Sequence, residues 1–374
     1  MGAHVVLAIG TRPELIKLAP VARALAAEGL RTTLLLSGQH PALDLGGAGL
    51  TDVPTVRLAA ALDGLQPLAA VDAIARAACP VLAELAPDAV AVQGDTSTAL
   101  ACARAAAARR TPVAHVEAGL RSGDPRMPWP EEPFRVEIDR LSQWLFAPTE
   151  SAGANLENEA VAGAIHVTGN TGIDALREAV GAQGPVSRAG PPLLLVTVHR
   201  RENLGDGMAR IAAGLRDAAR LAEFRALVLA HPRADTAALQ SRLFSVAANT
   251  RVLPPQTPAT TIRLMRRADM ILSDSGGMSE EAVTLGRPLL ILRDRTERPE
   301  AVTCGGATLV GTDPERIAVS IAELLHDRAS HAARAQPRPV FGDGHAAPRI
   351  AKLLAAALSA GSAMARLDAS GCAA

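Results

Sequence analysis

The sequence predicts an α/β protein made of two doubly wound, Rossmann-like domains, each with a parallel sheet. Short apolar runs alternate with longer stretches of helical period along the whole chain. A segment rich in glycine and proline at 181–192 interrupts this alternation and reads as a linker. The length of 374 residues suits two domains of about 100 to 200 residues each. We therefore expect an N-terminal domain at 1–180, a C-terminal domain at 193–350, and a helix with a tail at 351–374.

Each predicted strand is a short apolar run, as expected for parallel strands that are buried on both faces. In the first half the strands are expected near 4–9, 31–36, 88–93, 112–116, 144–147 and 164–168. In the second half they are expected near 193–198, 226–230, 251–253, 269–273, 288–292 and 307–310. Helices fill the intervals, and Pro13 suits the first turn of one of them. A last helical pattern at 346–366 can pack on either half.

Composition and charge narrow the class of function. The chain has 38 basic and 38 acidic side chains, so it lacks the electrostatic pattern of a protein that binds nucleic acid or anionic membranes. Cys79, Cys102, Cys304 and Cys372 show no metal-binding spacing. No apolar run reaches the roughly 18 residues of a membrane span, and charged residues interrupt the N-terminus too early for a signal peptide. We expect a cytoplasmic, metal-independent protein that acts on small molecules.

The first predicted strand ends in a glycine turn that leads into a helix, Gly10-Thr11-Arg12-Pro13. A helix N-terminus with an arginine on its first turn suits a phosphate group. An ordinary turn with a solvated Arg12 explains the pattern equally well. Neither a complete GxGxxG motif nor a Walker loop is present.

Carboxylates follow two further strands of the first half. Asp95 follows one strand, Glu117 follows the next, and Glu131 with Glu132 lies in the loop after that. If these groups converge on one pocket, their repulsion raises the pKa of one of them, as acid and base catalysis require. Taken singly, Asp95 can be a helix N-cap, and Glu131 and Glu132 can simply favour a first helical turn.

The second half repeats this arrangement of polar residues after strands. His199 follows one strand and is by itself more typical of a structural histidine than of a catalyst. Ser275, Gly276 and Gly277 follow another and open a helix, which makes a second phosphate site plausible. A dense charge run at 293–300 is most simply explained as a solvated face. If the ligand edges of the two halves face each other, the ligand lies in an interdomain cleft.

Taken together, these motifs resemble those of the non-hydrolysing UDP-N-acetylglucosamine 2-epimerases of bacteria. The resemblance extends from Gly10 to Ile350 and includes GTRPELIKLAP, QGDTSTA, HVEAGLRSGD, PWPEE, FAPTE, VTGNTGIDAL, VTVHRRENLG, SDSGGMSEEAVTLGRP, LRDRTERPEAV and FGDGHAAPRI. It implies a GT-B-like fold, as in UDP-sugar glycosyltransferases. It also implies a UDP-sugar substrate, no cofactor and a homodimer.

The resemblance also implies roles for individual residues. Asp95, Glu117 and Glu131 match the family's essential carboxylates, and His199 matches its active-site histidine. The matches for the nucleotide diphosphate are Arg12, Lys17, Ser275, Gly276, Gly277 and Arg298, whereas Glu281 matches the residue that holds the ribose hydroxyls. Arg135 matches a substrate-binding position beside the PWPEE motif.

The sequence departs from the family at two positions. Phe134 stands where a small polar residue, often Asn, is usual. Ala42, preceded by Pro41, stands where allosterically activated members carry a glutamine that helps bind a second UDP-N-acetylglucosamine. The identity of the sugar, N-acetylated or not, stays open.

The implied reaction is epimerisation at C2 by elimination and re-addition of UDP through a glycal. Epimerisation by transient oxidation with NAD and a Tyr–Lys pair is excluded because the chain has no tyrosine. A hydrolysing UDP-sugar 2-epimerase and a UDP-sugar glycosyltransferase also remain compatible with the motifs, and so does a catalytically silent sugar-nucleotide sensor.

Overall fold

A computed structural model of the chain describes residues 2–184, 186 and 190–371, apart from the side chains of Arg201 and 361–371. Pro185 and 187–189, which belong to the predicted linker at 181–192, and Cys372 lie outside the described residues. The fold separates into two compact units, Met1–Ala175 with Gly342–Ala374, and Leu176–Phe341. These boundaries differ from the expected ends at 180 and 350 because the segment that follows Phe341 packs with the first unit.

The first unit contains a parallel sheet of seven strands in the order β3-β2-β1-β4-β5-β6-β7. Its strands are β1 (His4–Ile9), β2 (Arg31–Leu36), β3 (Thr55–Arg57), β4 (Ala89–Gln93), β5 (Val113–Val116), β6 (Trp144–Ala147) and β7 (Ala164–Val167). Its helices are α1 (Arg12–Ala27), α2 (Pro67–Leu85), α3 (Ser97–Ala108), α4 (Glu131–Leu141), α5 (Glu150–Asn158) and α14 (Ala346–Gly371). Helix α6 (Thr171–Gly181) contains the boundary between the units.

The second unit contains a parallel sheet of six strands in the order β10-β9-β8-β11-β12-β13. Its strands are β8 (Leu193–Thr197), β9 (Arg225–Leu229), β10 (Thr250–Leu253), β11 (Met270–Ser273), β12 (Leu289–Ile291) and β13 (Ala307–Leu309). Its helices are α7 (Asp206–Leu221), α8 (Ala234–Phe244), α9 (Pro258–Arg267), α10 (Gly276–Thr284), α11 (Pro299–Thr303), α12 (Pro314–His326) and α13 (Arg328–Arg334).

The strand order of each sheet reverses direction at one place, and ligands bind at such switch points in open α/β sheets. In the first unit the reversal lies between β1 and β4, and in the second it lies between β8 and β11. The turns that follow these four strands hold Arg12, Asp95, His199 and Ser275. The sheet topology alone therefore indicates candidate ligand-binding residues that the sequence also indicated.

The cores are built from aliphatic side chains on both faces of the sheets. On one face of the first sheet, buried alanines of α3 pack against α2 and the strands. On the other face, α1 packs against α14, whose Ile350 and Leu354 are fully buried. A single apolar cluster of the second unit includes residues of α7, α12 and the strands. The predicted α/β class with two parallel sheets is confirmed.

One sequence expectation needs correction, because strand β3 was missed. It has only three residues, none of them buried, at the edge of the sheet. Phe134, which stands at a position that is usually small and polar in the resembled family, lies in the hydrophobic core with 3% of its surface exposed. In the described part of the chain, no helix combines the length and apolarity needed to cross a bilayer.

Candidate active site

The turn after β1 is fixed by a buried carboxylate. Thr11 caps helix α1, and the Glu14 carboxylate accepts hydrogen bonds from the backbone amides of Gly10 at 2.9 Å and Thr11 at 2.6 Å. Glu14 is fully buried, and this burial raises its pKa above the ordinary value. A side chain at position 10 would overlap Thr98, so only glycine fits there. The exposed Arg12 therefore stands on a rigid first turn. The Thr-x-x-Glu capping pattern was the signal that could have identified Glu14.

Glu117 follows β5 and is held by three donors. The Lys17 ammonium group contacts its Oε2 atom, and Gln93 Nε2 and Asn170 Nδ2 donate to the same atom at 2.9 Å and 3.3 Å. An ammonium group and two amides therefore hold this oxygen in place. The residue is 8% exposed and has a left-handed backbone, with φ of 70°. Sequence reasoning did not single out Gln93, the last residue of β4, or Asn170, which lies three residues after β7.

Asp95 follows β4 and is held by Arg135 of helix α4. The guanidinium contacts Asp95 Oδ2 through Nη2 and, at 3.1 Å, through Nε, and it donates from Nη1 to Glu132 Oε2 at 2.9 Å. The other Glu132 oxygen accepts from the amides of Ser122 at 2.8 Å and Gly123 at 3.3 Å. Arg135, expected to bind substrate, is thus buried against two carboxylates of the protein.

Glu131 is the first residue of α4, and it is half-buried. It precedes Arg135 by one helical turn, so it lies on the same face of the helix. The N-cap of α3 is Thr96 rather than Asp95. The capping explanation for Asp95 is therefore wrong, whereas Glu131 and Glu132 do occupy a first helical turn.

Behind these carboxylates lies a buried pair that the sequence did not indicate. His115 of β5 places Nδ1 at 2.6 Å from Asp139 Oδ1 and Nε2 at 2.8 Å from the carbonyl oxygen of Gly94. Asp139 Oδ2 accepts from the amide of Gly119 at 3.2 Å and from Arg121 at 2.7 Å. Burial alone would raise the pKa of Asp139, but His115 and Arg121 outweigh it and lower that pKa.

In the second unit, Asp274 organises the turn after β8. Its carboxylate accepts from the amides of His199 at 3.0 Å and Arg200 at 2.9 Å, and from Asn203 Nδ2 at 3.0 Å. The Nδ1 atom of His199 lies 3.3 Å from Asp274 Oδ1, and its ring stacks on His231 with centroids 6.4 Å apart. Burial lowers the pKa of His199 below its ordinary value, although Asp274 opposes this shift. His199 is therefore oriented through one nitrogen.

The N-terminus of α10 directly follows β11. Ser275 is the N-cap, and its hydroxyl accepts from the amide of Met278 at 3.5 Å. Apart from the adjacent residues and the backbone of its own helix, no heavy atom of the described residues lies within 4 Å of where a side chain at Gly277 would begin. Backbone amides at such a helix start attract anions. Glu281, one turn further along the helix, is half-buried.

The charge run at 293–300 is only partly a solvated face, which corrects the sequence interpretation: Asp294 and Arg295 are exposed, but three other charged residues are buried. The side chains of Arg293, Glu297 and Arg298 are 6%, 1% and 6% exposed. Arg298 contacts Glu280 through Nε and Glu297 through Nη1, the latter at 2.6 Å, and Glu297 also binds Arg293 at 2.7 Å. Opposite charges neutralise one another here, and this permits their burial.

The Arg298 guanidinium lies directly against Gly276, whose missing side chain would sit 2.6 Å from Cζ. It therefore stands at the start of α10, where two carboxylates hold it. Among the described residues, no group of three His, Cys, Asp or Glu side chains is arranged to hold a metal ion.

Two Rossmann-like sheets, each with charged side chains at its switch point, place the chain in the GT-B-like class of α/β proteins. A model of the Epimerase_2 family, described as UDP-N-acetylglucosamine 2-epimerase, matches residues 23–355. The chain is 38% identical over 384 residues to the UDP-N-acetylglucosamine 2-epimerase of Escherichia coli (strain K12), covering 94% of this chain and 98% of the relative. The chain therefore belongs to the UDP-N-acetylglucosamine 2-epimerase family, and the resemblance drawn from the motifs is confirmed.

Solved structures of the family agree with the fold. One is the UDP-GlcNAc 2-epimerase from Neisseria meningitidis bound to UDP-GlcNAc, with a TM-score of 0.87 and 34% identity over 95% of this chain and 99% of that chain. Another is the Methanocaldococcus jannaschii enzyme in complex with UDP-GlcNAc and UDP, with a TM-score of 0.81 and 31% identity over 95% of this chain and 99% of that chain.

Proposed function

We propose that this chain interconverts UDP-N-acetylglucosamine and UDP-N-acetylmannosamine by epimerisation at C2, without net hydrolysis of the sugar nucleotide. One structural observation is the main support for this proposal. Asp95 and Glu117 follow the adjacent, paired strands β4 and β5, and each carboxylate contacts a buried or half-buried cation, Arg135 or Lys17. Relatives named UDP-N-acetylglucosamine 2-epimerase, two of them in complex with UDP-GlcNAc, support the choice of substrate.

The chemistry requires such a set of carboxylates. The C2–H bond of the sugar has no neighbouring carbonyl group, so deprotonation alone gives no stabilised anion. If a base removes the C2 proton while the C1–O bond breaks, the C–H electrons form a C1=C2 double bond and UDP leaves with the C1–O pair. UDP then adds back to this glycal at C1 while a proton adds to C2 on the opposite face. The reaction therefore needs acid–base groups near both faces of the sugar and a site for the departing diphosphate.

We assign the proton transfers to Asp95, Glu117 and Glu131. Lys17 and Arg135 then serve these carboxylates directly, because each already contacts one of them. Each cation thereby fixes the position of the carboxylate that it contacts.

The phosphate-binding groups of the proposal are Arg12 on the first turn of α1 and the start of α10, with Ser275, Gly276, Gly277 and Arg298. Glu281 is assigned to the ribose hydroxyls and His199 to the active site. A homodimer and a cytoplasmic location stay predictions.

Incubation with UDP-N-acetylglucosamine alone in deuterated water tests the proposal. We expect NMR to show UDP-N-acetylmannosamine with deuterium at C2 and no accumulation of free UDP, because the second proton comes from an exchangeable group. Accumulation of free UDP with N-acetylmannosamine would instead identify a hydrolysing epimerase.

A glycosyltransferase or a sensor would leave the sugar unchanged in this experiment. The glycosyltransferase needs an acceptor molecule, and a sugar-nucleotide sensor only binds. Calorimetry then distinguishes a sensor that binds the nucleotide sugar from a protein that does not recognise it.

A further inference from the structure

The pair formed by His115 and Asp139 contacts both turns that carry the proposed catalytic carboxylates, and it takes no part in the chemistry proposed above. Both side chains are fully buried, with 0% of each exposed. Through its two ring nitrogens, His115 reaches Asp139 and the carbonyl oxygen of Gly94. Asp95 is the residue after Gly94, so one end of the pair supports the Asp95 turn.

The other end of the pair supports the Glu117 turn. Asp139 accepts from the amide of Gly119, two residues after Glu117. This turn is conformationally demanding, because Glu117 has φ of 70° and Gly119 has φ of 81°. A residue other than glycine rarely adopts such a φ, and the surrounding structure must hold it there.

The hydrogen bonds of the pair all go to other protein groups. The Gly94 carbonyl group can only accept, so Nε2 of His115 donates to it, while Nδ1 shares a hydrogen with Asp139 Oδ1. Asp139 Oδ2 accepts from Gly119 and Arg121 as well. A buried polar pair of this kind contributes little net stability, since desolvation offsets the attraction. Its geometry offers a better explanation for its presence.

Helix α4 links this pair to the Asp95 carboxylate by a second route. Arg135 and Asp139 are four residues apart, so they lie on the same face of α4. Arg135 contacts Asp95 directly, whereas Asp139 acts through His115 and Gly119. Arg121, which also binds Glu159 at 2.7 Å, secures Asp139 from the opposite side.

We propose that His115 and Asp139 are positioning residues, which fix the turn of Asp95 and the turn of Glu117 relative to each other. This inference rests on the proposed function, because Asp95 and Glu117 matter only if they act on the substrate. Misplacement of a reacting group by about 1 Å can lower a rate by about a hundredfold. Loss of the bridge therefore lowers kcat while leaving the affinity for UDP nearly unchanged.

The test uses Asp139→Asn, His115→Gln and the double variant in the full chain, with steady-state kinetics on UDP-N-acetylglucosamine. Each single variant is expected to lower kcat by about tenfold to a hundredfold, with KM changed less than about threefold. Because the two residues form one bridge, the double variant is expected to be no worse than the more impaired single variant. A kcat within about twofold of wild type for Asp139→Asn, or losses that multiply in the double variant, would overturn the proposal.

His4→Gln is the matched control for stability. His4 is also a buried histidine, 5% exposed, with a ring nitrogen 2.8 Å from Thr33 Oγ1, but it lies at the other end of the sheet at the start of β1. We expect this control to lower Tm without lowering kcat. If it lowers kcat as much as His115→Gln does, general destabilisation explains both results and the positioning role is wrong.

A readout without substrate separates failure of this inference from failure of the proposed function. Backbone hydrogen exchange is expected to accelerate at Gly94–Asp95 and at Glu117–Gly119 in Asp139→Asn, and not in His4→Gln. If the wild-type chain turns over no UDP-N-acetylglucosamine, the proposed function fails, and the exchange data still decide whether the pair fixes the two turns. Unchanged exchange at both turns in Asp139→Asn would overturn the inference.

Discussion

Three carboxylates are assigned to proton transfer, and each can be neutralised with little change in volume. Asp95→Asn, Glu117→Gln and Glu131→Gln are each expected to lower kcat by about a hundredfold or more, because a positioned acid or base contributes about that much. Turnover of UDP-N-acetylglucosamine measures the effect, and circular dichroism checks that each variant folds.

Glu137→Gln is the control for this set. Glu137 lies on α4 as well, but its side chain is 41% exposed and pairs with Arg104. We expect normal turnover from it. Near-wild-type turnover in Glu117→Gln, by contrast, would remove Glu117 from the chemistry.

The direction of the pKa shift of His199 can be predicted whether or not this residue acts in catalysis. Burial lowers its pKa, and the charge of Asp274 opposes this effect. An NMR titration of His199 should therefore give a midpoint below about 6.5, the ordinary value for histidine. Asp274→Asn removes the opposing charge, so the midpoint should fall further.

The lowered pKa determines the charge of His199 near neutral pH. A lowered pKa means that the imidazole is neutral at physiological pH and stays neutral at somewhat lower pH than a free histidine does. With Nδ1 directed at Asp274, its Nε2 atom is then a hydrogen-bond acceptor. A midpoint above about 6.5 in the wild-type chain would contradict this description.

At the scale of one helix, the start of α10 provides a matched pair of glycines. A side chain at Gly276 would overlap the Arg298 guanidinium, whereas the corresponding space at Gly277 is open. Gly276→Ala is therefore expected to displace Arg298, which is buried between two carboxylates, and to lower Tm by several degrees. Gly277→Ala should leave Tm unchanged or raise it, because alanine favours a helix by up to about 1 kcal/mol over glycine. Equal losses of Tm in the two variants would show that the contact with Arg298 does not matter.

Twelve of the observed strands lie where the sequence placed them. Strands such as β1 and β8 are buried on both faces and read as continuous apolar runs, whereas β7 and β10, at the sheet edges, are only partly buried. Strand β3 lacks such a run because it lies exposed at an edge. The candidate site followed from topology, since Asp95, Glu117 and His199 all come directly after strands.

Local sequence patterns could not predict side-chain contacts between residues that are far apart in the chain. Asp139 lies inside a helix, and its partner His115 is 24 residues away, so no nearby pattern marks either residue. Arg298 looked solvated because its neighbours in sequence are charged, but in the fold it pairs with the adjacent Glu297 and with Glu280, which is 18 residues away. In the same way, Lys17 was expected beside phosphate, and the fold directs it to a carboxylate 100 residues away.

At the scale of the whole molecule, the loop after β2 concerns allosteric activation, because it contains Ala42. Gln39 Oε1 accepts from the Thr98 hydroxyl at 2.8 Å, and His40 Nδ1 accepts from the amide of Arg12 at 3.3 Å. Pro41 and Ala42 are exposed, and neither side chain has a hydrogen-bonding group. An activator must bind one state better than another, and an alanine in place of glutamine removes amide contacts that could make this difference.

We therefore predict that UDP-N-acetylmannosamine is converted when it is offered alone, and that the rate depends hyperbolically on its concentration. Initial rates of the reverse reaction, measured with and without a trace of UDP-N-acetylglucosamine, test this. A reaction that starts only after the trace is added would show that activation survives in spite of Ala42.

The chain leaves the first unit after Ala175 and returns to it at Gly342, and this route affects how the protein is made. Helix α14 is capped by Asp174, whose carboxylate accepts from the amide of Ala347 at 2.9 Å, and it buries Ile350 and Leu354 against α1. The ribosome synthesises about 170 further residues between the two parts of this unit, which takes about ten to thirty seconds. For that time the apolar stripe of α1 has no α14 to cover it, so the half of the chain that is translated first completes its core last.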